Sequence, residues 1–379
     1  MSEREISIAI VPITADVNYD LAPRSPASLL AERGHRVTII GWNGGGRAAR
    51  LIRAHGGRVS IYLLPGLDVG LPGLTWPVPL VLGVANVLKE VGFDVLWIYK
   101  HANPSIIPPV LLARRMNKPV VFVVQGVRCN INPIVNTLYY AYLRSFDKMV
   151  CDMASKVVVL NKSDAILIQR FGCPAEKIKV IPNGIDTELF RPLRDGDPFL
   201  VVWHGRLVRG KGLEDLIKAI HILRRHHGLK ARLNIVGDGP LKPYLMEMVR
   251  KLRLKEHVSF VGWIPYAEIP RFICRGAIYA FPSFFEGMPW AVLEAMACGR
   301  AVVASNIPGI KDIIDDEVDG VLVRPGNIHS LADAIAMLME DEDLRKRLGR
   351  NARSKMLKHY DISIIVDKIE RTCMELLGR

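Results

Sequence analysis

The sequence predicts an α/β protein made of two doubly wound, Rossmann-like domains. Three observations carry this expectation. The 379 residues exceed one ordinary hydrophobic core and suit two. Short β-branched runs alternate with segments of helical spacing along the chain. A segment containing Pro192, Gly196 and Pro198 interrupts the alternation near its middle.

In the first half the strand candidates are Ile6–Val11, Val37–Ile40, Val59–Leu63, Val95–Tyr99, Val120–Val124, Lys156–Leu160 and Ile178–Ile181. Helical spacing occupies Leu21–Arg33, Ile106–Arg115 and Val135–Met153. An unbroken run such as Val120–Val124 suits a parallel strand covered on both faces. In the second half the strands are Leu200–Trp203, Leu233–Val236, Val258–Phe260, Ile278–Phe281, Ala301–Ala304 and Val321–Val323. Helices are expected at Leu213–Arg225, Leu241–Leu252, Trp290–Ala297 and Leu331–Glu340. Ligands of such sheets bind beyond the carboxyl ends of the strands, so one shared cleft between two facing sheets is expected.

Composition excludes disorder: half the residues are hydrophobic and 23% are charged. The cysteines Cys129, Cys151, Cys173, Cys274, Cys298 and Cys373 form no CxxC pair and have no histidine at zinc-finger spacing. They read as reduced, buried thiols of a cytoplasmic protein. Met1–Arg4 runs straight into a strand-length apolar segment with no cleavage site after it, so no export signal is expected. The nearly uncharged Ile61–Val87 is interrupted by Pro65, Pro72, Pro77 and Pro79 and is not expected to span a membrane. A net charge of +13 favours anionic partners without choosing among nucleic acid, membrane and phosphorylated substrates. Tyr139, Tyr140 and Tyr142 read as packing residues, and no RNA-binding motif accompanies them, so nucleic acid is not an expected partner.

The most informative segment is Phe281–Gly299, FPSFFEGMPWAVLEAMACG. A strand ends near Phe281, a turn holds Glu286, Gly287 and Met288, and Pro289 falls where the first helical residue is expected. The free N–H groups of such a helix start favour an anion such as a phosphate. Glu286 before the helix and Glu294 within it can both reach one cleft, and two carboxylates suit vicinal hydroxyls. As an isolated pair they read more readily as ordinary helix-start glutamates, a balance that the strand–turn–helix context narrows without reversing. Trp203–Gly212, WHGRLVRGKG, connects a strand to a helix and places Arg206 and Lys211 where they can converge on a diphosphate or form a solvated basic loop. Val236–Pro240, VGDGP, is half of a dinucleotide fingerprint.

In this order these segments, followed by GVLVRPGN at Gly320–Asn327 and preceded by IPNGIDTELF at Ile181–Phe190, resemble the retaining glycosyltransferases of family 4, which have the GT-B fold. LLAERGHRVTII at Leu29–Ile40 is a looser match. The resemblance implies residues 1–190 as an acceptor-side domain, 191–198 as linker, 199–358 as the nucleotide-sugar domain and 359–379 as a helix, Ile362–Leu377, returning to the first domain. It implies that Glu286 contacts the donor sugar and Glu294 the ribose. Arg206 and Lys211 would neutralise the leaving diphosphate in place of a metal. Gly205, Gly237, Gly239, Gly287, Met288 and Pro289 would lie along the donor. No cofactor is then expected beyond the nucleotide-diphosphate sugar as co-substrate, and no metal site; Asp315–Glu317 reads as a turn.

The first domain departs from the family pattern. Thr14–Pro26 lacks the glycines of a Gly-Gly loop, and Gln125 stands where relatives often carry a histidine. His101 and Gln125 are further candidates for the sugar side of the cleft. The expected acceptor is a hydroxyl on a glycan or lipid-linked molecule. Arg47, Arg50, Arg53 and Arg58 with the apolar Ile61–Val87 can serve a peripheral contact with the anionic inner face of a membrane; a packed loop beside a solvated helix face explains them equally well. A same-fold epimerase or phosphorylase, or a silent sugar-nucleotide-binding scaffold, stays open as an alternative.

Overall fold

The computed structural model describes residues 5–11, 24–42, 49–65, 68–71, 74–77, 80–99, 106–124, 144–146 and 148–379. The chain divides into two compact units, Met1–Pro182 with Ile362–Arg379, and Asn183–Asp361.

The first unit holds strands β1 (Ser7–Val11), β2 (Arg36–Trp42), β3 (Arg50–Ala54), β4 (Val59–Leu64), β5 (Asp68–Leu71), β6 (Leu74–Pro77), β7 (Val95–Tyr99), β8 (Val120–Val124), β9 (Lys156–Val159) and β10 (Ile178–Val180). Its helices include α1 (Pro26–Glu32), α2 (Leu80–Val91), α3 (Ile107–Arg115) and α4 (Lys162–Arg170). Eight strands form a sheet in the order β10-β9-β8-β7-β1-β2-β4-β3. Every neighbouring pair is parallel except the edge pair β3–β4. The valine run of β8 alternates between two cores: Val120, Phe122 and Val124 face one, and Val121 and Val123 the other. A sheet buried on both faces needs no polar alternation. The helix expected over Leu21–Arg33 begins at Pro26, where the Ser25 side chain accepts from the Ser28 N–H.

Two first-unit elements differ from expectation. Arg50 and Arg53 lie on an edge strand, not a helix face: Ile52 and Ala54 pack on the core while Arg50, Leu51 and Arg53 are exposed. The Pro-rich stretch after Leu64 contains the two-stranded β5–β6 hairpin and the start of α2. His101, Gln125, Cys129, Arg47 and Tyr139, Tyr140 and Tyr142 lie outside the described residues. The other five cysteines are free and buried. Among the described residues, no helix is long and apolar enough to cross a membrane.

The second unit holds β11 (Asp197–His204), β12 (Arg232–Val236), β13 (Val258–Gly262), β14 (Gly276–Phe281), β15 (Ala301–Ser305) and β16 (Val321–Val323). Its helices are α5 (Leu213–Arg225), α6 (Lys242–Lys251), α7 (Ile269–Ile273), α8 (Trp290–Ala297), α9 (Ile328–Glu340) and α10 (Glu342–Lys355). All sheet pairs are parallel, in the order β13-β12-β11-β14-β15-β16. Strand order therefore reverses between β11 and β14, which makes their carboxyl ends the switch point of a doubly wound sheet.

The division between units falls at Pro182, before the Pro- and Gly-containing segment 191–198. Residues 183–190 bond within the second unit. The Ile185 N–H donates to the Tyr360 carbonyl at 2.8 Å, Thr187 Oγ1 donates to Asp361, and Phe190 is fully buried. Arg353 donates to the carbonyls of Phe190, Thr187 and Ala297 at 2.7, 2.9 and 2.9 Å. The expected linker itself carries the start of β11 at Asp197.

A π-helical turn, Met356–Tyr360, ends the second unit, and the C-terminal helix Ile362–Leu376 belongs to the first. Ile365, Val366, Ile369 and Cys373 of this helix enter the core beside Trp97, whose indole N–H points at Cys373 Sγ, 3.3 Å away. Glu370 accepts from Arg33 at 2.5 Å and lies 2.8 Å from Nε2 of the buried His35. Burial works to raise the Glu370 pKa, but the hydrogen bonds from His35 and Arg33 outweigh it and hold the carboxyl below its ordinary range. Each buried aliphatic side chain is worth about 1.5–3 kcal/mol, so the helix contributes an amount comparable to a domain's whole stability of about 5–15 kcal/mol. Calorimetry of the chain truncated after Asp361 is therefore expected to show the transition of the second unit and none for the first. A first unit that still unfolds cooperatively would contradict this.

Candidate functional site

The switch point is built by two connections, residues 204–212 after β11 and residues 282–289 after β14. They lie backbone against backbone. The Phe284 N–H donates to the Gly210 carbonyl at 2.8 Å. Gly212 has φ +72°, and a Cβ there would stand 1.9 Å from the Pro282 carbonyl oxygen. The connection after β12 packs equally closely: a Cβ on Gly237 would stand 2.0 Å from the Gly205 carbonyl oxygen. Leu207 donates to the Asp238 carbonyl at 2.9 Å, and Leu241 donates back to Leu207 at 3.0 Å. Thus Gly205, Gly237 and Gly239 sit where adjoining turns touch, and packing alone requires small residues there.

Closure of these turns brings Lys211 to Glu286, with Nζ 2.6 Å from Oε1. Ser283 Oγ lies 2.7 Å from the same carboxylate oxygen and is fully buried. Lys211 Nζ also stands 5.8 Å above the Phe281 ring. One oxygen of Glu286 is thus occupied, and no described group hydrogen-bonds the other. Arg206 is exposed and, among the described residues, forms no ion pair. Arg206 and Lys211 therefore do not share a partner: Lys211 is held by a carboxylate and Arg206 projects to solvent.

Glu294 is only 4% exposed although it lies on α8, and its partner is His204, the last residue of β11. His204 Nε2 is 2.5 Å from Glu294 Oε2. The other ring nitrogen, Nδ1, is 3.0 Å from Tyr279 Oη on the neighbouring strand β14. Burial pushes the Tyr279 hydroxyl well above its ordinary pKa, with the Glu294 and Glu286 charges acting in the same direction. It is therefore a phenol, not a phenolate, at physiological pH.

The turn Glu286–Pro289 leads into α8. Pro289 is the N-cap, with φ −75° and ψ 118°, rather than the first helical residue; no side chain caps this helix. The chain makes its last extended step at the proline, and Trp290 starts the helix. Asn183 holds the turn, its Nδ2 donating to the Met288 carbonyl at 3.0 Å and its N–H pointing at Met288 Sδ at 3.3 Å. Asp315 and Asp319 flank a turn closed by Lys355, whose Nζ is 2.8 and 2.6 Å from their carboxylates. Sequence reasoning did not single out His204, Tyr279, Ser283 or Asn183. The sequence shows a histidine ending one apolar run and a tyrosine inside another, but not that the two strands are neighbours.

Gly212→Ala forces both a positive-φ side chain and a clash with backbone, so a cost of at least about 2 kcal/mol is expected. Thermal denaturation should show the midpoint lowered by roughly 4–8 °C. An unchanged midpoint would mean that the two connections are not locked together as described.

Two family models divide the chain between them: Glycosyltransferase Family 4 matches residues 27–189, and Glycosyl transferases group 1 matches residues 185–355. Alpha-D-kanosaminyltransferase of Streptomyces kanamyceticus is 25% identical over 346 residues, covering 85% of this chain and 89% of that protein. The UDP-Gal:alpha-D-GlcNAc-diphosphoundecaprenol alpha-1,3-galactosyltransferase of Escherichia coli is 27% identical over 314 residues, covering 78% and 79%. Sucrose-phosphate synthase from Thermosynechococcus elongatus superposes with a TM-score of 0.83 at 19% identity, covering 99% of this chain and 100% of that one. HepE of Anabaena, solved in complex with UDP, gives 0.74 at 20% identity, covering 98% and 100%. These likenesses establish the GT-B fold, and the two consecutive family matches establish the lineage. The chain belongs to the group 1, family 4 glycosyltransferases.

Proposed function

We propose that the protein transfers a hexose from a nucleoside-diphosphate sugar to a hydroxyl acceptor, with retention at the anomeric carbon and without a metal ion. The observation that carries this reading is the convergence of Lys211, Glu286 and Glu294 on the carboxyl ends of β11 and β14. Lys211 and the exposed Arg206 would be the cations for the departing diphosphate. As the anomeric C–O bond breaks, its electron pair goes to the β-phosphate oxygen, and cations aimed there stabilise the transition state more than the ground state. The acceptor oxygen bonds to the anomeric carbon on the same face. Its proton passes to the leaving phosphate oxygen, so no enzymic nucleophile is needed. Glu286 would bind the donor sugar and Glu294 the ribose, while Gly287, Met288 and Pro289 line the donor and the uncapped start of α8 favours its phosphates. Gly205, Gly237 and Gly239 would keep the adjoining turns close to it.

Named relatives support this donor class. The Escherichia coli galactosyltransferase is named for a UDP-Gal donor, and HepE was solved with UDP-glucose. Two act on diphosphoundecaprenol-linked sugars by name. A lipid-linked acceptor therefore suits this chain too, met at an anionic inner membrane face by the exposed Arg50, Leu51 and Arg53 of β3.

A thermal-shift screen with UDP, GDP, ADP and their hexose conjugates is expected to give one responding series. Saturation at about a hundred times the dissociation constant adds roughly 2.7 kcal/mol. Glu294→Ala should lose the shift. Lys211→Ala should keep most of the donor binding and lose turnover, and turnover of the natural chain should survive EDTA. Turnover unaffected by Lys211→Ala, or abolished by EDTA and restored by a divalent ion, would overturn the metal-independent reading. Product with inverted anomeric configuration would overturn retention, and an altered sugar nucleotide formed without acceptor would favour an epimerase. On flotation with anionic liposomes, the chain should bind in a salt-sensitive way, and Arg50→Glu with Arg53→Glu should weaken that binding; absence of binding sinks the membrane contact.

A further inference from the structure

Three polar side chains from three elements meet below the surface of the second unit: His204 at the end of β11, Tyr279 within β14 and Glu294 on α8. All three are buried, with Tyr279 fully so. Buried polar groups are costly unless each has a partner, so the placement of their protons is constrained.

The constraint starts at the backbone. The His204 N–H points at Tyr279 Oη from 3.4 Å, and an N–H can only donate. The phenol oxygen therefore accepts there and has one proton of its own to place. His204 Nδ1, 3.0 Å away, is the acceptor the described residues offer it. Nδ1 then carries no proton, and the ring proton sits on Nε2. That nitrogen faces Glu294 Oε2 at 2.5 Å. One oxygen of the carboxylate is thereby saturated from within the protein. No described group hydrogen-bonds Oε1.

We infer that His204 is a positioning residue for Glu294: Tyr279 sets the ring so that Nε2–H holds Oε2, and Oε1 is left to accept from a ribose hydroxyl of the donor. The inference rests on the nucleotide-sugar reading of this site and adds how the protein orients the group that reads the ribose. A carboxylate fixed at one oxygen has lost its rotational freedom before the ligand arrives, which lowers the cost of ordering it on binding. A hydrogen bond to a charged group is worth about 1.5–3 kcal/mol, so losing one ribose hydroxyl should cost tenfold or more in affinity.

Calorimetric titration with UDP, GDP and ADP and with their 2′-deoxy counterparts tests this. The natural chain is expected to bind its ribonucleotide at least about tenfold more tightly than the 2′-deoxy form. His204→Leu should bring that ratio close to one, as should Glu294→Ala. His204→Gln, whose amide can donate from the same side, should restore most of it, and Tyr279→Phe should give an intermediate ratio. A merely structural network would lower the melting temperature and leave the ratio intact. A folded His204→Leu chain with full discrimination therefore overturns the proposal.

Should the Leu variant fail to fold, nitrogen-15 spectra of the natural chain decide the proton placement without any ligand, with His204→Gln used to assign the signal. Nε2–H with a bare Nδ1 is expected; a proton on Nδ1 overturns the relay. Nε2–H in a chain that binds none of the three ribonucleotides would instead remove the ribose as the target. In that case the donor reading fails, not the relay.

Discussion

The second unit depends on the contact between the backbone after β11 and the backbone after β14. At Gly212 the two chains approach too closely for any side chain, and Gly210 accepts a hydrogen bond across the same seam. Parallel strands bring these connections to one edge of the sheet, and the reversal of strand order leaves room between the helices that follow. Closure of the seam then decides which side chains meet. Lys211 precedes Gly212 and Glu286 follows Pro282 by four residues, so locking the glycine to the proline carbonyl fixes the ion pair.

The two glutamates at this edge are held by different means. Glu286 is partly exposed, paired with an ammonium on a flexible stem and steadied by a buried hydroxyl. Glu294 is buried and paired with an imidazole whose other nitrogen is also engaged. A lysine can move with an arriving anion, whereas a ring fixed on both sides cannot. The site thus pairs one adaptable carboxylate with one rigid one, and the polar chain behind the rigid one lies between the two central strands.

How much of this was legible in the sequence follows from what each feature depends on. Strands such as β7 and β8 were readable to the residue because both of their faces are covered and their apolar runs are unbroken. Edge strand β3 was not, because one of its faces meets solvent at Leu51 and Arg53 and only Ile52 and Ala54 pack on the core. Helix α10 was missed for a related reason: EDLRKRLGRNARSK buries only Arg345, Leu348, Gly349 and Ala352. Glu286, Lys211 and Glu294 were singled out through an ordered set of motifs. The His204–Tyr279 contact needs the knowledge that β11 and β14 are neighbours, which no local pattern supplies. The compact units divide at Pro182, a few residues before the Pro- and Gly-containing segment, because Pro and Gly mark a break in local structure whereas long-range bonds already change partners at Asn183 and Ile185.

The C-terminal helix gives the chain an unusual order of assembly. Domains emerging from a ribosome generally fold as they are completed, the N-terminal one first. Here the first unit lacks Ile365, Val366, Ile369 and Cys373 of its core until the helix that follows the second unit is made. At ~5–20 residues per second, its other strands wait for tens of seconds while the second unit is synthesised and closes. The unit translated earlier is therefore completed only after the second, and during translation it is the one of the two that most needs shielding by chaperones.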